Sequence, residues 1–165
     1  MAPTQTVEQT RTESSELILP GDLNNLGYLF GGRLVSMIDK VAAIAALKHV
    51  RGIVVTLSID SLTFKQPVKG GAIVTIKSSV NRVFNHSLEV GVVAETLNPG
   101  DEGSQRVCTA YLTFVALDEN GRAKEIPPIQ PQSEEENRRY AEALIRRNHR
   151  LSLGQQLGKT GKASA

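Results

Sequence analysis

The chain has 165 residues, enough for one domain with a real core. Nineteen Lys and Arg against seventeen Asp and Glu leave a formal charge of +2. That gives no electrostatic case for nucleic acid, and the absence of Trp removes the best stacking surface for bases. A single cysteine, Cys108, excludes an internal disulfide framework and a cysteine-rich metal centre, and no run reaches the ~18 apolar residues of a membrane span.

The polar start has no apolar signal core, so a cytoplasmic protein is expected, with residues 1–13 as a disordered tail. Residues 16–19 read as a short strand stopped by Pro20-Gly21. A loop rich in Asp, Asn and Gly then runs to Gly31-Gly32. Residues 32–49 predict a helix that is apolar nearly all round, from Met37 and Ile38 through Val41 to Leu47, as in a buried helix. Four alternating stretches follow at 54–64, 72–80, 88–95 and 107–117, separated by turns at Gly70-Gly71, Asn85-His86 and Asn98-Pro99-Gly100-Asp101. These connections are too short for parallel crossovers, so the pairing is antiparallel.

One sheet burying one helix defines an α+β domain, placed at residues 14–130 and closed by Pro127-Pro128. Ser133 and Glu136 form a capping box for a helix over 134–150, within a C-terminal segment 131–150, and 151–165 read as a second disordered tail. Cys108 shares a strand face with Ala110, Leu112 and Phe114 and reads as a small core residue.

Chemistry concentrates between residues 22 and 40. Gly31 and Gly32 present bare backbone amides at a helix N-terminus, where negative charge is favoured. Asp39 is a lone carboxylate two turns inside the apolar helix, a placement that suits a general base or nucleophile unless Arg33, Lys40 or another chain's lysine pairs with it. Seven residues separate Gly32 from Asp39, about 10 Å along a helix, so one chain cannot bring both to one carbonyl. Two antiparallel helices across a two-fold axis would do so, which makes a dimer with composite sites the expected assembly.

Asn24 could hold a water or a carbonyl through its amide, or be a turn residue. His49 sits at the helix end, where a cation is favoured, and the three histidines have no metal-site spacing. Arg139, Arg146 and Arg150 recur at helical spacing, either as a solvated face or as a phosphate-binding stripe.

The run from Pro20-Gly21-Asp22-Leu23-Asn24 through Gly27, Leu29-Phe30-Gly31-Gly32 and Met37-Ile38-Asp39 to Ile44-Ala45-Ala46 resembles the hotdog-fold acyl-CoA thioesterases, of the bacterial cytoplasmic and animal brain-type groups. Further matches are Val55-Thr56, Asp60-Ser61, Phe64, Pro67-Val68, His86-Ser87-Leu88-Glu89-Val90, and 113–121. Ile126-Pro127-Pro128 leading into 134–140 completes the set. The resemblance spans about residues 15–150. It implies a sheet wrapped round a central helix, a double-hotdog dimer and commonly a trimer of dimers. It also implies hydrolysis of acyl-CoA to fatty acid and CoA without a metal or redox cofactor, CoA being part of the substrate.

By the same resemblance, Asp39 of one subunit works with Asn24 of the other, Gly31 and Gly32 face the thioester carbonyl, and His86 and Ser87 lie where the CoA nucleotide is held. Arg139 is the candidate for a CoA phosphate. Many members carry an arginine or lysine in the turn before that serine, where this chain has Asn85-His86. The rival readings are a non-catalytic acyl-CoA sensor and a hotdog dehydratase. The dehydratase needs a histidine on the central helix, which this chain lacks before His49.

Overall fold

The computed structural model describes residues 5–161. Its elements in chain order are β1 (Gln5–Thr6), β2 (Thr12–Leu17), α1 (Gly31–Val50), β3 (Ile53–Phe64), β4 (Ile73–Val83), β5 (Ser87–Leu97), β6 (Gln105–Leu117), β7 (Ile129–Gln130) and α2 (Glu134–Gly161). Five strands form one antiparallel sheet in the order β2-β4-β5-β6-β3, so β2 and β3 are its edges. The sheet curls round α1, as the alternating strands and the single apolar helix predict.

The buried residues of α1 are Leu34, Met37, Ile38, Val41, Ala42, Ala45, Ala46 and His49, a stripe advancing by three and four along one side. They meet the inward residues of the strands, including Val74, Ile76, Leu88, Val90, Leu112 and Phe114. Each large apolar side chain fully buried there contributes ~1.5–3 kcal/mol. The helix is not apolar-buried all round, however. Ile44 and Leu47 on its other side are more than two-fifths exposed, and Asp39 is half-buried. Cys108 lies in the core with Ala110, Leu112 and Phe114, and burial pushes its thiol up to about 11, so it is an unreactive packing group.

Residues 5–13 are structured rather than a tail; residues 1–4 of that expected tail lie outside the described residues. Gln5–Thr6 pairs in parallel with Ile129–Gln130, and a 3-10 turn at Glu8–Thr10 buries Val7 and Thr10. The Thr10 hydroxyl donates to the Val7 carbonyl and accepts from the Val80 N–H, which caps the core at that corner. Polar composition misled because an edge strand is held by its backbone ladder and needs few apolar residues. At the other end α2 runs on to Gly161, past the expected stop at 150; no proline interrupts 151–161, and the helix runs through Gly154 and Gly158. Residues 162–165 lie outside the described residues.

α2 packs on the outer face of the sheet, opposite α1. Its capping box forms as read, with Glu136 N–H on Ser133 Oγ at 3.2 Å and Ser133 N–H on Glu136 Oε2 at 3.2 Å. His49 is buried and its Nε2 donates to the Pro127 carbonyl at 2.8 Å. Turning the Gln5 amide so that its nitrogen faces His49 Nδ1 at 3.0 Å also satisfies Arg51. His49 is therefore not a helix-end cation. Burial lowers its pKa, outweighing the Pro127 contact.

A folded-state pKa below the unfolded one stabilises the protein above pH ~6.5 and is lost as pH falls through the folded value. Thermal unfolding midpoints are thus expected to fall between pH 7 and pH 5, and to fall less in His49→Gln. An equal fall in both proteins would remove His49 as the cause.

Candidate active site

The segment before α1 is a shaped loop. Asn24 Oδ1 accepts from the N–H groups of Leu26 at 2.9 Å and Tyr28 at 3.1 Å, and the Asn24 N–H donates to the Tyr28 carbonyl at 2.7 Å. Gly27, at φ +79°, supplies the left-handed residue this tight turn needs. The turn and amide readings of Asn24 are therefore compatible. The oxygen builds the turn, and no hydrogen bond is made by Nδ2 among the described residues.

Asp22 ties this loop to the helix. Its Oδ2 accepts from the Leu19 N–H at 3.0 Å and its Oδ1 from Arg33 Nε at 2.9 Å. The Leu19 hydrogen bond, then that of Arg33, holds the Asp22 carboxyl below the usual range. Arg33 also meets Glu16 at 2.9 Å.

Helix α1 begins at Gly31 with Phe30 as its uncapped flanking residue. Arg33 and Leu34 N–H groups bond to the Phe30 carbonyl, whereas the Gly31 and Gly32 N–H groups have no acceptor among the described residues. Two orphan donors and the positive end of the helix dipole thus meet at one point. A Cβ at Gly32 would come 2.7 Å from the exposed Phe30 ring, so a larger residue there would push that ring aside. A Cβ at Gly31 would stand 3.5 Å from the ring of Phe64. Asn24, Gly31, Leu34, Phe64 and Val68 line a cleft of about 430 Å³ beside these donors.

Asp39 is two turns further along and does not line this cleft. Neither Arg33 nor Lys40 pairs with it. Its partner is the Thr56 hydroxyl on β3, which donates to Oδ1 at 2.8 Å. Thr56 is an exposed residue seventeen positions away; the resemblance included it, but nothing in its spacing tied it to Asp39. The structure therefore brings Asn24, Gly31 and Gly32 to one place and Asp39 with Thr56 to another, as the 10 Å helical offset requires.

His86 is exposed at the β4–β5 turn and Ser87 opens β5. Ser87 opposes Val115, which opposes Val55, so it lies two strand spacings, about 10 Å, from the residue before Thr56.

The arginine stripe is not a free surface. Arg146 donates to Glu89 from Nε at 3.0 Å and Nη2 at 2.7 Å, with its guanidinium 3.6 Å from the Tyr111 ring centre. Arg150 pairs with Asp60. Arg139 pairs with Glu135 on its own helix and borders a separate outer-face cleft of about 560 Å³, across the sheet from Asp39. Met37 and Ala45 are buried in the core, and the partly buried Leu62 packs against that core. No described helix is long and apolar enough to cross a membrane.

The sequence profile of the Thioesterase superfamily matches residues 26–102. A Bacillus subtilis protein named as an uncharacterized acyl-CoA thioester hydrolase is 37% identical over 89% of this chain and 86% of its own length. Mouse acyl-coenzyme A thioesterase 11 is 38% identical over 87% of this chain, which spans only 24% of that longer protein. Among solved structures, an apo-hexameric acyl-CoA thioesterase superposes with TM-score 0.88 at 37% identity, covering 92% of this chain and 97% of that one. The Staphylococcus aureus acyl-CoA hydrolase, solved with butyryl-CoA and CoA, gives 0.89 at 31% identity over 98% of both chains. Alanine variants of an aspartate, an asparagine and a threonine of that enzyme superpose equally well.

A five-stranded antiparallel sheet curled round one long helix, with a further C-terminal helix, is the hotdog arrangement. The chain belongs to the thioesterase superfamily of hotdog enzymes, among relatives named acyl-CoA thioesterases and acyl-CoA hydrolases.

Proposed function

We propose that this chain hydrolyses acyl-CoA to the free acid and CoA, at composite sites formed by two subunits. The observation that carries the reading is the pair of Gly31 and Gly32 N–H groups at one end of α1, unpartnered among the described residues, with Asp39, bonded there to Thr56, two turns away. A second line of support comes from the S. aureus hydrolase. Its three replaced residues run asparagine, aspartate, threonine at spacings of 15 and 17 residues. Asn24, Asp39 and Thr56 stand at the same spacings.

In this mechanism Asp39 removes a proton from a water as the water oxygen bonds to the thioester carbonyl carbon. The Gly32 N–H, assisted by Gly31 and the helix dipole, stabilises the oxygen that gains charge. Asn24 Nδ2, the free donor of its turn, orients the carbonyl or the water from the other subunit. The C–S bond then breaks with its electron pair on sulfur, and the proton passes from Asp39 to the CoA thiolate or to solvent. The thiolate is a good leaving group, so no strong acid is needed. In the less favoured variant Asp39 attacks the carbonyl directly, the C–S bond breaks to expel the CoA thiolate, and water opens the resulting anhydride to the free acid and the Asp39 carboxylate, its released proton going to the thiolate or to solvent.

Assembly follows from the edge strand. β3 is twelve residues long, and Ile53, Val55, Leu57 and Ile59 on it are 39–62% exposed in the single chain. A long apolar edge invites pairing with another copy. Two-fold pairing along β3 lays the two α1 helices antiparallel and brings Gly32 of one chain to the partner's Asp39. Hexameric relatives support a trimer of such dimers. His86 and Ser87 are assigned to the CoA end of the substrate. Arg139, on the far face, is retained only as a contact to the nucleotide, which lies farthest from the thioester. CoA is a substrate component, and the hydrolysis as written uses no other cofactor.

The test is thiol release from a panel of acyl-CoA chain lengths. Turnover of at least one member is expected, whereas tight binding without thiol release would make the protein an acyl-CoA sensor. Sharing of the site has its own test. Asn24→Ala and Asp39→Asn homo-oligomers are each expected to be nearly inactive. Mixing them regains part of the activity, because one site of each mixed pair has both residues intact and the other has neither. No recovery after verified subunit exchange would reject shared sites.

A further inference from the structure

Strand β3 changes phase twice, on either side of Asp60. Thr56 opposes Phe114 on β6, yet Ser58 opposes the adjacent Thr113, so Leu57 is the extra residue of a β-bulge. Along an unbroken strand, residues two apart share a face. Here Thr56 faces α1 and Asp39, whereas Ser58 and Asp60 face outward, level with Thr113 and Tyr111, towards α2. A second shift falls between Asp60 and Thr63, where Ser61 has φ +49°, a left-handed conformation uncommon for any residue but glycine. Beyond it Phe64 opposes core residue Cys108 and returns to the inner face, against Gly31.

The short stretch between the bulges is held from outside. The Ser58 hydroxyl donates to Asp60 Oδ1 at 3.2 Å, and Arg150 Nη1 of α2 donates to Asp60 Oδ2. Arg150 and Asp60 are 24% and 18% exposed, so solvent only partly screens the pair. Two register shifts so close together leave a short stretch that can move against β6 without disturbing the ladder beyond them, and a slip of one residue turns its side chains to the other face. In that slipped register the Thr56 hydroxyl leaves Asp39 and the Phe64 ring leaves Gly31.

We propose that Arg150 and Asp60 form a positioning clamp for the thioesterase site. By fixing the phase of β3 between its two bulges from the far side of the sheet, they keep Thr56 on Asp39 at one end and Phe64 under Gly31 at the other. The inference rests on the reading of Asp39 as the base, but the clamp itself is a structural claim that can be read without turnover.

Two measurements on the full chain test it. With the best acyl-CoA of the panel, Arg150→Ala lowers kcat by about 10-fold with KM within about twofold, as expected for misplacing a catalytic group without touching substrate. Arg150→Lys restores at least half of the loss. The control is Arg82→Ala, which loosens the same helix from β4 by removing the 3.1 Å bond from Arg82 Nη1 to the Tyr140 carbonyl; it leaves kcat within about twofold. In amide hydrogen exchange, Arg150→Ala speeds exchange over residues 56–64, and Arg82→Ala does not.

Equal kcat losses in the two variants, or unchanged exchange over 56–64 in Arg150→Ala, overturn the clamp. If the wild-type protein turns over no acyl-CoA, the hydrolase reading fails, and the exchange result alone decides the clamp. Should Arg150→Ala not fold, Asp60→Asn takes its place with the same expected pattern and a smaller loss.

Discussion

Asp39→Asn lowers kcat by at least about 100-fold while the protein keeps its fold and its assembly, the loss expected when a general base is removed. The change is nearly isosteric, and the amide oxygen can still accept the Thr56 hydroxyl that now meets Oδ1 at 2.8 Å. What disappears is the negative charge that accepts a proton from water. Asp39 is half-buried and has no cation partner among the described residues, so the substitution breaks no ion pair there and unfolding midpoints should barely move. Thr56→Val is the weaker companion, because it removes the donor that aims the carboxylate but leaves the base present; its kcat falls while KM holds. Steady-state thiol release checks both. If kcat of folded Asp39→Asn stayed within a few-fold of wild type, the proton acceptor would have to be sought elsewhere.

Much of the fold is written in local periodicity. The α1 stripe from Leu34 to His49 and the alternation of the four long strands are each legible within a dozen residues, and short turns force antiparallel neighbours. The Gly31-Gly32 start and Asp39 were legible because glycine amides and a lone carboxylate on an apolar helix are chemically conspicuous. The resemblance, rather than spacing, singled out Asn24 from Asn25.

What stayed hidden depends on partners distant in sequence. Arg146 and Arg150 read as a cationic stripe because Glu89 lies 57 positions away and Asp60 lies 90. Thr56 sits in a smoothly alternating strand that shows no sign of the bulge beside it, since a bulge is a property of pairing with β6. His49 read as a helix-end cation because helix position alone says nothing of the Pro127 carbonyl, which arrives from the end of the domain. The ordering of 5–13 escaped for the same reason: its ladder to 129–130 and to β4 is made of backbone groups that every sequence possesses.

Arg146→Ala costs the protein about 3–5 kcal/mol, the range for removing one partner of a buried ion pair. Glu89 is 1% exposed on the outer face of β5, and Arg146 is 20% exposed above it, so water cannot replace the lost guanidinium. Asn81 Nδ2 still donates to Glu89 Oε1 at 2.9 Å, but a neutral amide does not offset a buried negative charge. Asn81 packs over Gly91, where a Cβ would stand 2.7 Å from its side-chain nitrogen. For a chain of this size each kcal/mol lowers the unfolding midpoint by roughly 2–4 °C, so a drop on the order of 10 °C is expected in thermal unfolding.

The double variant Glu89→Gln with Arg146→Ala should recover part of that loss, because it removes the stranded charge and keeps the amide pairing with Asn81. KM for acyl-CoA stays unchanged in the folded Arg146→Ala protein, since the guanidinium is committed to Glu89 and the Tyr111 ring and is not offered to a phosphate. A stability loss below about 1 kcal/mol would place the pair among the weakly coupled surface ion pairs. A raised KM with unchanged stability would return Arg146 to the phosphate-binding stripe.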